Sequence, residues 1–531
     1  MTAPDVERFS FTADGPWLID EDALTWREGL DEVRALARLE AAQLARPGWP
    51  PLDRIAKTGA LLTRAIALWY LFEKRKGGSV SRAGVSRRLR LAFESLGSTY
   101  IKLGQIISAG EGIFPPELTD EFRLCRDEVP PETFEAVERV LTEDLGPIDK
   151  VFNGIERTPL AAASIAQVHA ATLKTGEPVV VKVQRPQVAR LVREDLRAMA
   201  WIAPKLVGRI PVAALANPPA LVELFADTIV EELDFRLEAD NMLDIGRVLA
   251  ETEQRTIVVP RPHPELVTKR VLVMERLGGF AFHDVEGMKA AGVNTHDVIR
   301  AGMVSTLEGA MLYGVFHGDL HGGNIFVGAD GVVSLLDFGI TGRLDENRRL
   351  AFVRLLMGGV TNDIKGQLAA LRDLGALPPD TDLDAVIRDL GLDRPPKDPT
   401  KMSADQLVAE IRDIVKSLIG YGARFPKELM LFVKNLLFLD GAISRLAPDL
   451  DLIGETFQIA THFATKHGEK LAAQVGAPAK SFDIDLTGYK ASLGLDASVE
   501  SLTYAELQER RAIIRKRFEE RRRNRGWLRR R

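Results

Sequence analysis

Cysteine is nearly missing from this 531-residue chain. The single Cys125 excludes an intramolecular disulfide, a four-cysteine zinc site and a CxxC redox pair, so the chain reads as cytosolic. Gly (44) and Pro (28) sit near average usage, which excludes collagen-like and broadly low-complexity structure. The start, MTAPDVERFSFTADGPWLIDED, is acidic and lacks the basic and apolar regions of a signal peptide, so export is not expected. Long apolar runs are short in supply too, and none reaches the ~18–20 residues that span a bilayer. The run GALLTRAIALWYLF (59–72) is broken by Arg64 and followed by Glu-Lys-Arg-Lys. It is expected to be a helix packed on the rest of the protein, with an interfacial membrane helix as the alternative.

What is present is ample apolar material, 46% of residues, in a length suited to three or four structural units. Proline clusters at 45–54, 204–220 and 377–401 mark breaks, the last a long surface excursion. From 88 to 109, Phe93, Leu96, Tyr100, Leu103 and Ile107 recur at helical spacing. Gly97, Ile101, Gly104 and Ser108 form a second, mostly small stripe where another backbone could approach. Lys102 and Gln105 are neighbours on that helix, ordinarily a solvated edge. Residues 158–186 alternate, turn at Thr175-Gly176 and continue through Val179–Val183, which predicts a β-hairpin. A helix over 221–242 follows, with Phe225, Ile229, Leu233 and Leu237 spaced by four, and then two further strands in EQRTIVVPRPH and KRVLVMERL. The expected fold class is α+β, with two lobes.

The segment FHGDLHGGNIFVGADGVVSLLDFG (316–339) concentrates the chemistry. A two-residue type I′ turn at Asp330-Gly331 would set Asn324 opposite Asp337, with Asp319 on the loop before them. An amide oxygen beside a carboxylate suits a Mg2+ ion that also takes phosphate oxygens, leaving Asp319 to orient or deprotonate a nucleophile. The bland reading is a polar turn beside a structural hairpin; the three residues at this spacing favour phosphoryl transfer. His317 and His321, four apart, suggest zinc only with a third ligand or a helix, so His317 is read as bracing the loop. Upstream, Lys182 in Val-Val-Val-Lys-Val sits on a strand. Asp234, Glu238 and Asn241 share a face of the next helix, so Glu238 is the expected partner of Lys182 in holding phosphates. No GxGxxG precedes Lys182. Ala161, Ala162, Ala163 and Ser164 stand there instead, and alanine does not readily adopt the positive φ of a glycine loop, so the Ser164 hydroxyl and backbone groups are expected to serve the nucleotide. No Ala-Pro-Glu follows the Asp-Phe-Gly, which leaves little room for a peptide-docking segment.

These residues resemble the UbiB or AarF family of atypical protein-kinase-like ATPases, linked to isoprenoid quinone biosynthesis and lipid homeostasis, from about residue 88 to about 450. The resemblance rests on Lys102-Leu103-Gly104-Gln105 (KxGQ), Ala161–Ser164, Glu232-Leu233-Asp234 (ExD) with Glu238 beyond it, the HGDLHxGN loop and Asp-Phe-Gly. It implies a two-lobed protein-kinase-like fold with a helical KxGQ extension and a mainly helical C-terminal lobe. The implied division is an N-terminal segment (1–54), the extension (55–150), an N-lobe (151–277), a C-lobe (278–450) and a C-terminal extension with a basic tail (451–531). ATP and Mg2+ are the implied cofactors. Asp319 would be the catalytic residue, Asn324 and Asp337 the metal ligands, Lys182 with Glu238 the phosphate clamp, and Glu275 to Leu277 the hinge that meets adenine. Lys102 and Gln105 would face Glu232, Asp234 or the metal site and occlude the cleft. Glu232 and Glu238, about 600° apart on an ideal helix, would point to different flanks. Gly322 stands where the family usually has Pro, which loosens the catalytic loop. No C-terminal pair of membrane-spanning helices is seen, so stable insertion is not expected.

The expected function is an ATP-dependent kinase-like ATPase or small-molecule kinase near quinone or lipid metabolism. A nucleotide-gated pseudokinase scaffold and a small-molecule phosphotransferase are the alternatives. The net charge of −5 conceals a segregation. Residues 508–531 hold 12 basic and 3 acidic residues, +9, which leaves −14 for residues 1–507. Arginines interleaved with Ile513, Ile514, Phe518, Trp527 and Leu528 suit anionic lipid headgroups, so a peripheral position on the cytoplasmic membrane face is expected. A solvated disordered end and nucleic acid are the competing readings of that tail.

Overall fold

The computed structural model describes residues 3–528 except 50, 77, 110–114, 126–128, 207–217, 361–362, 394–401, 403–405, 407–416, 419, 424–425, 476–485, 494 and 497. Most of the break expected at 204–220 and part of the excursion at 377–401 lie outside the described residues, although Leu383–Leu390 forms a helix whose Val386 is buried. Two compact units result. One comprises Met1–Ala250, Val258–Gly278 and Leu335–Ile340, the other Glu251–Ile257, Gly279–Ser334 and Thr341–Arg531. Helices and sheets are mixed, as the sequence predicts.

The first unit is built on an antiparallel sheet of β1 (Phe152–Ile155), β2 (Ala161–Ala162), β3 (Ala166–Leu173), β4 (Pro178–Gln184), β5 (Pro262–Val267) and β6 (Val271–Glu275). The order is β1-β3-β4-β6-β5, with β2 beside β3. The predicted hairpin is present: Gly176 takes a φ of 106° and its N–H donates to Leu173 O at 3.0 Å. Alternation along β4 sorts its side chains by face. Val179, Val181 and Val183 are fully buried in one core with Val271, Val273 and the helix Phe134–Leu145. Lys182 and Gln184 necessarily face the other way.

A second core gathers helices that the sequence divides less clearly. α1 (Leu52–Phe72), α2 (Gly78–Leu96), α3 (Ser98–Ala109), α4 (Pro116–Phe122), α5 (Val188–Leu206) and α6 (Pro218–Ile229) contribute to it. The helix expected across 88–109 breaks at Gly97, whose φ of 110° suits glycine. The expected inward residues Leu96, Tyr100, Leu103 and Ile107 are buried with Phe122, Val192, Leu196, Phe225 and Ile229. The small stripe admits side chains rather than a backbone: a Cβ on Gly104 would stand 2.8 Å from Phe122 and 3.0 Å from Cys125 Sγ. Arg54 Nε donates to the buried Asp195 carboxylate at 2.7 Å, tying α1 to α5.

α1 also corrects the expectation about long apolar segments. It runs 21 residues and is, among the described residues, the one helix long and apolar enough to cross a membrane, because it continues N-terminally to Leu52. Thr58, Leu62, Ala65 and Trp69 bury one face, yet only 22% of its most apolar stretch is buried. Tyr70, Leu71 and Phe72 are exposed.

The helix expected over 221–242 is broken as well. After α6 a 3-10 turn occupies Glu231–Leu233, Asp234 is extended (φ −135°, ψ 103°), and α7 (Phe235–Glu251) begins anew. Asp234 accepts from the Arg236 N–H at 3.2 Å, the capping interaction by which Asp competes with helix continuation. Asp234 therefore leaves the face shared by Glu238 and Asn241, and the 600° relation of Glu232 to Glu238 does not apply.

The second unit contains β7 (Phe280–Ala281) paired with β8 (Ile325–Val327), and a strand at Val315–His317 paired with Thr341–Arg343. Its helices include α8 (Thr295–Glu308), α9 (Lys427–Leu446), α10 (Leu452–Val475) and α11 (Tyr504–Leu528). The turn after β8 departs from the expected type I′. Gly331 N–H donates to Gly328 O at 3.0 Å, Gly328 N–H donates to Val332 O at 2.8 Å, and Gly331 alone takes positive φ there. A three-residue loop with a left-handed glycine replaces the two-residue turn. Gly328 then faces Val332, a register one residue away from that which set Asn324 against Asp337. The basic tail is helical to Leu528. Ile513 is exposed, whereas the side chains of Phe518, Trp527 and Leu528 lie outside the described residues.

Substituting Gly104→Val is expected to displace the Phe122 ring and lower stability by about 1–3 kcal/mol, read from the urea midpoint; an unchanged midpoint would show that this contact is not tight.

Candidate functional site

In the first unit, Lys182 emerges from the polar face of β4 and its ammonium donates to Glu238 Oε1 at 2.7 Å and to Asp337 Oδ1 at 3.2 Å. The Phe235 ring lies 5.5 Å from the same nitrogen. Gln184, two residues along that face, donates to Leu233 O at 3.1 Å. One strand face thereby holds both the start of α7 and the segment preceding it. Asn241, one turn beyond Glu238, donates to Phe338 O at 2.8 Å and so fixes the Asp-Phe-Gly backbone.

Asp337 takes a left-handed φ of 56°, uncommon for a residue with a Cβ but tolerated best by Asn and Asp. Its Oδ1 also accepts from the Gly339 N–H at 3.2 Å. The side chain remains 47% exposed, so the carboxylate keeps an accessible edge.

The charges alternate around it. Lys102 Nζ lies 3.0 Å from Glu232 Oε1, and the charge of Lys102 also acts on Asp337. Burial works against ionising Asp337, but Lys182 and then Lys102 outweigh it and hold the carboxyl well below the usual carboxylate range. Burial likewise opposes the Lys182 ammonium, and Asp337 and Glu238 reverse it, holding the amine above its ordinary value. Glu238 is the most enclosed of the three, and burial pushes its carboxyl up to about 7 against the pull of Lys182.

The other expected residues fall as follows. Ala161 and Ala162 pair with Val168 and Gln167 as strand β2, and the Ala163 N–H is spent on Ala166 O at 2.8 Å. Arg185 Nε donates to Ala163 O at 2.9 Å, and Ser164 is buried. This segment is a braced strand and turn. Gln105 is half-buried on α3. Asp234 meets Arg236 twice, Oδ1 accepting from Nε at 3.0 Å and Oδ2 from Nη2 at 2.7 Å, instead of Lys102. Glu275 ends β6 with its N–H on Arg261 O at 2.8 Å, and Leu277 follows it half-buried. The Glu275 carboxyl is raised by burial, against hydrogen bonds from Thr12 and the Arg261 N–H.

In the second unit, the Asp319 N–H donates to His317 Nδ1 at 3.1 Å, so His317 braces the loop as expected. Asn324 Nδ2 donates to Asp319 O at 3.2 Å. Phe282 stands 3.2 Å from where a Cβ on Gly322 would sit, supporting the loop at that glycine. Two residues not anticipated complete the surroundings. Lys434 ion-pairs with Asp319, and the fully buried Asn435 donates to His317 O while its Oδ1 accepts from the Leu320 N–H at 3.3 Å. The signal was a Lys-Asn pair inside the apolar run LMLFVKNLLFL, since buried polar groups require partners. Arg261 and Thr12 had no comparable signal.

The ABC1 atypical kinase-like domain matches residues 124–370. An uncharacterized protein of Mycobacterium tuberculosis is 34% identical over 437 residues, covering 80% of this chain and 87% of that protein. A probable protein kinase UbiB of Aeromonas hydrophila is 32% identical over 393 residues, covering 73% and 70%. An uncharacterized aarF domain-containing protein kinase, chloroplastic, of Arabidopsis thaliana is 32% identical over 393 residues, covering 69% and 72%.

Substituting Lys182→Met leaves Glu238 buried without its counter-charge, so its folded-state pKa rises further above the ordinary 4.5. The folded chain then retains a proton that the unfolded chain releases, and stability falls as pH rises from about 5 to about 8, more steeply than in the wild type. Urea melts across that range check this; parallel pH profiles would contradict it.

Proposed function

Because the chain belongs to the UbiB/AarF group of ABC1 atypical kinase-like proteins, we propose that it is a Mg-ATP-dependent kinase-like ATPase that supports isoprenoid quinone biosynthesis or lipid homeostasis. The observation that carries the reading is the Lys182–Glu238 ion pair at 2.7 Å, with Asp337 on the same ammonium. In a kinase-like site that arrangement holds the α and β phosphates and keeps the metal-binding carboxylate ionised.

The donor set fits a hard cation. Asp337 is held charged with an accessible edge, and Asn324, whose Nδ2 donates to Asp319 O, would supply an amide oxygen. Mg2+ favours such oxygen ligands and keeps waters and phosphate oxygens in its remaining positions. When bound, the ion would neutralise charge on the phosphates. Asp319 would orient or deprotonate the acceptor, and Glu275 to Leu277 would present backbone groups to adenine. Ser164 and the backbone of Ala161–Ala163 would line the nucleotide. The Lys102–Glu232 pair and Gln105 are assigned to occlusion of the acceptor side, which suits a lipid-like acceptor better than a protein. Asp234, engaged by Arg236, shapes the ExD turn in this reading. The basic end of α11 would meet an anionic membrane surface. The five-segment division drawn from the sequence belongs to the same proposal.

A second reading, a nucleotide-gated scaffold, is favoured by one feature: Asp319 is already ion-paired with Lys434, so the expected base is engaged within the chain.

Asp337→Asn is expected to lower ATP turnover by about a hundredfold or more with the fold retained by circular dichroism. Wild-type turnover in this variant would remove Asp337 from the site. Single-turnover assays with and without anionic liposomes separate the two readings, because tight Mg-ATP binding without product in either condition favours the scaffold.

A further inference from the structure

Away from the groups assigned above, the second unit brings together three side chains with metal-ligand chemistry. Glu308 ends α8 and is buried, 1% exposed. His462 and His467 lie on α10, and both point Nε2 at the same oxygen, Glu308 Oε1, at 2.9 Å and 2.8 Å. The three candidate ligand atoms all lie within 4.8 Å of one another. We propose that Glu308, His462 and His467 form a site for a divalent transition metal of zinc type, joining α10 to the end of α8.

Three features support a metal beyond a pair of hydrogen bonds. The first is the ligand set: two imidazole nitrogens and one carboxylate oxygen make up a three-ligand zinc site, whose fourth position takes water. The second is the graded burial. Glu308 and His467 are enclosed, with side chains 2% and 10% exposed, whereas His462 at 35% leaves a route for an ion and its water. The third is the backbone. α8 passes directly into a π turn at Gly309–Tyr313, and such turns concentrate at functional sites because the extra residue re-aims the neighbouring side chains.

The demands on geometry are modest. Bonds of about 2.1 Å place neighbouring ligand atoms about 3.4 Å apart, so each imidazole must withdraw from Glu308 by about half an ångström. Each ring must also carry its proton on Nδ1, because the Nε2 lone pair goes to the metal. Lys466, which donates to Thr252 O, acts on Glu308 with an opposing charge. That charge weakens the site and favours an ion held by directional nitrogen bonds over a hard cation held by charge alone.

The test uses untagged full-length protein, stripped with a chelator and titrated with Co2+, then Zn2+. One equivalent of Co2+ is expected to develop the visible bands of four-coordinate nitrogen and oxygen ligation, Zn2+ to displace it, and Zn2+ to raise Tm. His462→Gln, His467→Gln and Glu308→Gln are each expected to lose the bands and the thermal shift. Wild-type protein without saturable bands overturns the proposal, as do variants that bind like wild type. Where His467→Gln or Glu308→Gln fails to fold, the half-exposed His462→Gln decides: bands persisting in a folded His462→Gln protein overturn the site.

Discussion

Lys182 is enclosed by protein, and an ammonium in that position is tolerated only beside carboxylates that replace its lost water. Glu238 and Asp337 supply them. Much of the first unit can be traced to that requirement. β4 must present Lys182 opposite the valines that form its core, α7 must begin where Glu238 reaches the strand, and the Asp-Phe-Gly backbone must turn left-handed for Asp337 to meet the same nitrogen. Asn241 holds that turn through Phe338 O, and Gln184 holds the segment before α7 through Leu233 O. Each of these polar contacts satisfies a group that burial would otherwise leave costly.

The same balance extends to the KxGQ helix. Lys102 is paired with Glu232 and also acts on Asp337, so the carboxylate proposed to hold the metal sits in the field of two ammoniums. The helix that carries Lys102 is anchored by apolar packing, with Tyr100, Leu103 and Ile107 buried on one side and Phe122 and Cys125 pressed against Gly104. Packing thus sets the position of a charge, and that charge adds to Lys182 in keeping a neighbour ionised. The ExD segment breaks between α6 and α7, so Glu232 meets Lys102 from the 3-10 turn while Glu238 meets Lys182 from α7.

Periodicity made a large share of the fold readable. The inward residues of 93–107, the turn at Gly176 and the strand at 271–275 follow from apolar spacing and glycine conformation, both local properties, whereas the strand expected in EQRTIVVPRPH is confined to Ile257–Val258 and Pro262–Val267 lies mostly beyond it. Lys182 with Glu238 was legible because strand alternation and helix spacing leave few other partners. What escaped were features decided by competition. Asp234 is extended and caps the start of α7 where its apolar neighbours would continue one helix. Gly328 to Val332 adopts a three-residue loop although Asp330-Gly331 suits a shorter turn. α1 continues past the charges of its first turns because helix propensity tolerates them, which lengthened an apolar segment that a run-based reading cut short.

The sequence by itself determined which chemistry is present: the Lys, Glu, Asp and Asn of the proposed kinase-like site, the alanine segment in place of a glycine loop, and the segregation of basic charge into the last two dozen residues. Tertiary structure alone decided who meets whom. Lys434 reaches Asp319 across 115 positions, Arg261 reaches Thr12 across 249, and Glu308 reaches His467 across 159. Local spacing carries no information at such separations, because these contacts are chosen by how whole elements pack and by the need of each buried charge for a partner.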